Sequence, residues 1–509
     1  MCLSRTLSRV CFLAMRTRCL PLHKPRRLSL TKSLLEPTSQ ERDVGQPVHS
    51  THPHLLKRGE ISPGATAAQF RERRHRLMNK LSQTHPGTTG KNHVAIVPSA
   101  TTQYLSQDVP YTFRQNTDFL YLTGFHNPDA ILLLVSDSAK GLPDHKAVLF
   151  VQPQDSQWEL WNGPRCRADD AVLIFGMDEA YSIDELPSYF RKSCDNSCSV
   201  WFDQSLQTNH LDFYELINEK LLLSNERSIK NLFSLRHHVH DVRVIKTSDE
   251  IELMTKSASI ASEAFIETIR HGRSDMSELE IGAKFEYECK RRGAERVAYP
   301  PVVAAGNRAN ILHYLTKTGI VCDGELVLMD AGCEFHGYAS DITRTWPING
   351  AFSKLQREIY EAVLMTRDAC IQLVKPGASL NAIHHSAEMI IGRALQDLGV
   401  IKKEFGDVRL RNEVSRFFPH HVGHYLGMDT HDTPQVSRNA TLQPGMVVTI
   451  EPGLYFSNKL ANMPDRYKGI GIRIEDDVLV TESGHKVLTE RVPSDPTRLE
   501  EMLSSRPTS

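Results

Sequence analysis

The chain is 509 residues long, 40% hydrophobic and 24% charged, with 60 Lys+Arg against 61 Asp+Glu and a formal net charge of -1. That composition excludes a disordered, collagen-like or disulfide-scaffold protein, and the length calls for two or three folded units of roughly 100–200 residues each. A charge near zero supplies no field for nucleic acid or an anionic membrane, and the longest apolar runs, Ala130 to Val135 and Leu326 to Met329, fall far short of the ~20 residues that cross a bilayer, so neither partner is expected.

Before its first acidic residue, Glu36, the chain carries Arg5, Arg9, Arg16, Arg18, Lys24, Arg26, Arg27 and Lys32 among serines and short apolar groups. A basic, acid-free, weakly amphipathic leader is the pattern of a mitochondrial transit peptide directed to the matrix. A secretory signal needs ~7–15 uninterrupted apolar residues. Here Arg9 and Arg16 confine the candidate stretch to Val10–Met15. Arg26-Arg27-Leu28-Ser29 predicts cleavage after Leu28, and a cytoplasmic pool started downstream of the leader is compatible with the same sequence. Residues 37–64 are rich in Pro, His, Gln and Ser and read as an arm, so 1–64 is expected to be transit peptide and flexible arm. The ten cysteines are too sparse for a disulfide framework and fit a reducing compartment. Cys194 and Cys198 lack a matching Cys/His pair at zinc-site spacing.

A first domain is expected over 65–240. Phe70, Leu77 and Leu81 among dense Arg predict a helix over Ala65–Leu81 that exposes a basic face. Strand-like runs follow at Val94–Val97, Ala130–Val135 and Ala147–Val151, alternating with helical stretches at Ser188–Lys192 and Leu211–Leu223, an α/β pattern. Ser224–Val244 is polar and basic and reads as a linker.

A second domain is expected over 241–490, with 491–509 as a tail. Thr247-Ser248-Asp249-Glu250 predicts a capping box, and Ile251, Met254, Ala258, Ala261 and Phe265 continue it as one apolar stripe of a helix. Helical patterns recur over Phe352–Leu373 and Leu380–Leu398, and short strands are predicted at Leu326–Met329, Val447–Ile450 and Gly471–Ile474.

Each of these strands ends on an acid: Asp330, Glu451 and Glu475. A carboxylate among buried apolar residues is costly unless paired or bound to a metal. With Asp341 and His424 the set becomes four carboxylates and one imidazole, which suits hard or borderline divalent ions, Mn²⁺ before Zn²⁺. Two such ions at ~3.5–4 Å would activate a water for attack on a carbonyl, the signature of a hydrolase. Singly, each acid has a plainer reading: Asp330 and Glu451 precede Gly- and Pro-Gly-containing turns, and Arg473 with Glu475 could form a salt bridge on one strand face.

The segments Asp330-Ala331-Gly332, Ser340-Asp341-Ile342-Thr343-Arg344-Thr345, His420-His421-Val422-Gly423-His424, Ile450-Glu451-Pro452-Gly453 and Arg473-Ile474-Glu475-Asp476-Asp477 together resemble the pita-bread metallopeptidases. Tyr111 to Phe125 is similar to the N-domain of the aminopeptidase P branch, so the likeness covers about residues 65 to 490. It implies an α/β (α+β) fold, a creatinase-like N-terminal α/β domain followed by a pita-bread catalytic domain. It further implies two divalent ions, with Asp341 and Glu475 bridging, Asp330 on one ion, and His424 and Glu451 on the other. Glu451 would act as general base to a bridging water. His313, His420 and His431 match the family's substrate-side histidines, which steady the carbonyl and pass a proton to the leaving nitrogen. Arg473 would orient Glu475, and Tyr299 falls where the family contacts substrate. His384, His385 and His421 are expected to be surface or packing residues, and Cys333 to pack.

Methionine aminopeptidases usually lack a large N-domain, and prolidases tend to carry long insertions between ligand strands, whereas these spacings are compact. The resemblance therefore implies removal of the N-terminal residue from peptides with proline second, by a homodimer. A prolidase acting on dipeptides, or a binding protein on the same fold, are the alternatives.

Overall fold

The computed structural model describes residues 43–84, 93–136, 142–194, 198–203 and 232–506. The basic leader, its cleavage site after Leu28 and the helix expected over Leu211–Leu223 lie outside the described residues.

The N-terminal half is built on a six-stranded sheet whose centre is antiparallel: Ile131–Ser136 lies between His93–Pro98 and His145–Val151. Parallel strands flank it, Ser199–Trp201 and Leu232–Phe233 on one side and Glu179–Ser182 on the other. The central strands read as continuous apolar runs because both faces are covered. Val94, Ile96, Ile131, Leu133, Val148 and Phe150 pack to one side with Leu186 and Phe190 of helix Leu186–Ser193. Alternate residues Ala95, Val97, Leu132, Leu134 and Leu149 pack to the other with Leu77, Met78 and Leu81 of helix Ala67–Thr84. This second core runs on through Met254, Ala258, Leu426 and Met428, so both halves contribute to it.

Four expectations are corrected. The helix Ala67–Thr84 keeps Arg71 in solvent but buries Arg73 and Arg74. Arg74 donates through Nη1 to the carbonyl of Leu122 at 2.9 Å and through Nη2 to that of Gly176 at 3.1 Å. Residues 43–64 are no loose arm, since Val44, Val48, Leu56 and Ile61 are buried and Gln46 donates to the Gly124 carbonyl at 3.0 Å. The segment read as a linker forms a sheet strand, Leu232–Phe233, and a helix, Arg236–Arg243, that buries His238, Val239, His240, Val242 and Arg243. The C-terminal stretch forms helix Pro496–Ser504, anchored by buried Leu499 and Leu503.

The C-terminal half is assembled from small antiparallel sheets wrapped by helices Ser248–His271, Glu278–Arg291, Lys354–Leu373 and Leu380–Asp397. The capping box forms as expected, with Glu250 accepting from the Thr247 amide at 2.9 Å. Strand Leu326–Ala331 lies between Val302–Ala305 and Ile342–Pro347, which sets Asp330 opposite Thr343, and a bridge then pairs Thr343 with Glu475. Val447–Ile450 pairs with Asp476–Val480, and Gly453–Tyr455 with Gly471–Arg473. Two glycines permit this closeness: a Cβ at Gly332 would stand 1.7 Å from the Ser340 carbonyl, and one at Gly423 1.9 Å from that of Thr449.

Candidate metal centre

The strand ends deliver their acids to one point. Ligand atoms of Asp341, His424 and Glu475 all lie within 4.8 Å of one another. His424 Nε2 is 3.5 Å from Asp341 Oδ2 and 3.7 Å from Glu451 Oε1. Asp330 joins through Tyr299, whose hydroxyl lies 2.5 Å from Asp330 Oδ1 and also meets Asp341 Oδ1, so that its one proton is shared between the two carboxylates.

Crowding of like charge away from water shows in the protonation energetics. Burial, then neighbouring Asp341 and Glu451, hold the Glu475 carboxyl well above the usual carboxylate range. Burial pushes Glu451 up to about 7. Burial alone would lower His424, but the hydrogen bond to Asp341 and the charge of Glu451 raise it to about 9. Four carboxylates here face one guanidinium, that of Arg473, and this excess of negative oxygen donors fits divalent cations. Nδ1 of His424 lies 3.0 Å from the Tyr425 carbonyl, which can only accept, so Nδ1 keeps its proton and Nε2, facing the carboxylates, is the nitrogen that would give up its proton to bind a metal.

Around the cluster runs a chain of hydrogen bonds. His420 Nδ1 donates to the carbonyl of His421 at 2.9 Å, so its Nε2 accepts from Tyr455 Oη at 2.9 Å. Tyr455 in turn accepts from Arg473 Nη1 at 2.8 Å, and Arg473 Nη2 reaches Asp330 Oδ2 at 2.6 Å. Burial pushes His420 down to about 3, leaving it neutral, with Nδ1 3.7 Å from Glu451 Oε2. His431 and His313 are exposed at the mouth, the His431 ring centred 4.4 Å from that of His424.

Two residues make contacts the likeness did not imply. Arg473 pairs with Asp330 and reaches Glu475 only through Thr343, whose hydroxyl accepts from Arg473 Nε at 3.2 Å and donates to Glu475 Oε2 at 2.7 Å. The strand-face salt bridge between Arg473 and Glu475 is not formed. Tyr299 turns its hydroxyl to the carboxylates of Asp330 and Asp341 rather than to the open mouth. Thr343, Tyr455 and Asp477 escaped the sequence reading. Strand alternation could have found Thr343 and Asp477, which stand two residues from Asp341 and Glu475, and Asp477 accepts the Asp341 amide at 3.1 Å. Tyr455 had no comparable signal. His421 stacks on His384 at 4.4 Å and faces Asn381, and Cys333 is buried against Ser257, both packing as expected.

Residues 252–482 match the model of metallopeptidase family M24, and residues 70–201 that of the aminopeptidase P N-terminal domain. The chain is 44% identical over 465 residues to Xaa-Pro aminopeptidase 3 of Mus musculus, covering 91% of each. It is 37% identical to the mitochondrial intermediate cleaving peptidase 55 of Arabidopsis thaliana, over 92% of this chain and 89% of that one. Among solved structures it is similar to zinc-substituted Escherichia coli aminopeptidase P in complex with product, with a TM-score of 0.79 at 33% identity over 87% of this chain and all of that one. Aminopeptidase PepP of Pseudomonas aeruginosa gives 0.77 at 33% identity, over 87% of this chain and 99% of that one.

Proposed function

The chain belongs to the M24 metallopeptidases of the aminopeptidase P type and is a metal-dependent aminopeptidase with that family's two-part fold, and from this premise we propose that it removes the N-terminal residue from peptides with proline in second place. The observation that carries the reading is the meeting of Asp341, His424 and Glu475 donors within 4.8 Å, with Asp330 and Glu451 beside them. These residues would hold two divalent ions, Mn²⁺ fitting the oxygen-rich set best. When bound, such a pair supplies Lewis acidity, polarising a carbonyl and lowering the pKa of a water towards neutrality.

The chain's own residues supply the rest. Glu451, a carboxylate beside the cluster, would take the proton of the attacking water. Arg473 and Tyr455 fix Asp330 and the neutral His420. The X-Pro bond is a tertiary amide without an N–H, so the site must read ring shape, and the departing proline nitrogen must gain a proton. In this reading His431, whose ring is centred 4.4 Å from that of His424, and exposed His313 would steady the carbonyl oxygen and deliver that proton.

We further assign the protein to mitochondria, a reading supported by the basic leader and by the mitochondrial relative. A homodimer is supported by apolar side chains left in solvent at Leu160, Trp161 and Leu173, each 80–81% exposed. The function is tested by incubating metal-stripped protein with Ala-Pro, Ala-Pro-Ala and Ala-Ala-Ala before and after Mn²⁺. Mn-dependent alanine release from Ala-Pro-Ala alone is expected. Cleavage of Ala-Pro alone would turn the reading to a prolidase, and silence on all three to a binding protein.

A further inference from the structure

Asp432 follows His431 directly, and its buried carboxylate is gripped by two cations. Arg243, 3% exposed, donates through Nη2 to Asp432 Oδ1 at 2.5 Å and Asp429 Oδ2 at 3.0 Å, and through Nη1 to Asp118 Oδ1 at 2.5 Å. Lys246 Nζ reaches the second oxygen of Asp432 at 3.1 Å. The N-terminal half grips the same segment: Thr117 Oγ1 donates to Asp429 at 2.7 Å, and Arg114 to Asp429 at 3.2 Å and to the Met428 carbonyl at 2.9 Å. Arg114, Arg243 and Lys246 thus balance Asp118, Asp429 and Asp432, while Glu334, which also accepts from Arg114, has Arg296 at 3.6 Å.

Stability alone does not account for so large a buried cluster, because desolvation offsets most of its Coulomb gain. Fixing geometry does, and the segment shows what is fixed. Thr433, fully buried, holds φ at +47° and its hydroxyl finds no hydrogen-bond partner. A β-branched residue keeps such a conformation only where its surroundings over-determine it. Gly427 comes so close that a Cβ there would stand 2.5 Å from Asp432 Oδ2. Between these held points His431 projects its ring to 4.4 Å from that of His424.

We propose that Arg243 and Lys246 are positioning residues, a buried clamp that sets His431 over the metal centre. Because Asp118, Thr117 and Arg114 belong to the N-terminal half, the docking of that half and the placing of His431 are one event. The proposal rests on the reading of His431 as a substrate-side histidine, and its test separates the two. Asp118→Asn and Lys246→Met are made in the full chain, each in the wild-type and the His431→Ala background, with kcat, KM and bound Mn²⁺ measured on Ala-Pro-Ala. Asp118→Asn is nearly isosteric and leaves Arg243 two carboxylates, so a folded variant remains if Lys246→Met unfolds.

In the wild-type background kcat falls about tenfold, since small misplacements are costly in turnover, while KM and bound metal change less than about twofold. In the His431→Ala background the same substitutions change kcat less than about twofold. Equal losses in both backgrounds would show general structural damage and overturn the clamp, as would an unchanged kcat in the first. Wild-type turnover by His431→Ala itself would instead overturn the role of that histidine, and with it the clamp's purpose.

Discussion

Thr343→Val isolates one hydroxyl. Thr343 is fully buried, and its Oγ1 donates to Glu475 Oε2 at 2.7 Å while accepting from Arg473 Nε at 3.2 Å. Valine keeps the shape and strand preference but leaves Glu475 without that donor. A hydrogen bond to a charged group contributes about 1.5–3 kcal/mol. Independently, losing a group that orients a metal ligand costs roughly 10–100-fold in metal affinity or activity, which converts to about 1.4–2.7 kcal/mol. The two routes agree, so the free Mn²⁺ giving half-maximal activity is expected to rise roughly 10–100-fold, with kcat at saturating metal far less affected. Activity titrated in metal buffers, beside a melting curve, measures it. A folded variant whose half-saturating Mn²⁺ stays within about twofold of wild type would refute the reasoning.

Chelator-stripped protein is expected to lose stability as pH rises from 6.5 to 9. His424 is raised to about 9 in the fold, so its contribution is present below its unfolded value near 6.5 and fades towards 9; Glu451, raised to about 7, costs more as it ionises, in the same direction. Melting curves of stripped and Mn-loaded protein check this, and a stripped protein that gains stability over that window contradicts it. Tyr455→Phe leaves His420 Nε2 and Arg473 Nη1 each short of a partner and is expected to lower kcat about tenfold with little change in KM; an unaltered kcat on Ala-Pro-Ala would remove Tyr455 from the account. Leu499→Ala is expected to destabilise by about 2–5 kcal/mol in urea unfolding, and a cost below about 0.5 kcal/mol would mean that the last helix is dispensable.

Local signals in the sequence carried well where structure is locally determined. Thr247 to Glu250 encodes its own cap, and Ile131–Ser136 reads as a strand because both of its faces are apolar. The acids were legible because each ends an apolar strand, where an unpaired carboxylate needs an explanation. Failures came where the partner is distant in the chain. Arg74 ends on carbonyls 48 and 102 residues away, and Arg243 on carboxylates 125 and 189 away, so both looked like surface charge. Val44, Val48 and Ile61 follow no period, because each fills a gap in a core made elsewhere. Arg473 was assigned by likeness to Glu475, its neighbour in sequence, while strand alternation and the Thr343 bridge send its guanidinium to Asp330.

The central claim is that Asp330, Asp341, His424, Glu451 and Glu475 hold two divalent ions that drive cleavage before proline. It is tested most directly by adding Mn²⁺ stepwise to stripped protein and following bound metal and alanine release from Ala-Pro-Ala together, with Glu451→Gln as the control. The account predicts activity that rises to a break at two equivalents per chain, and a control that binds metal in part without turnover. Full activity without bound metal, or undiminished turnover by Glu451→Gln, would contradict it.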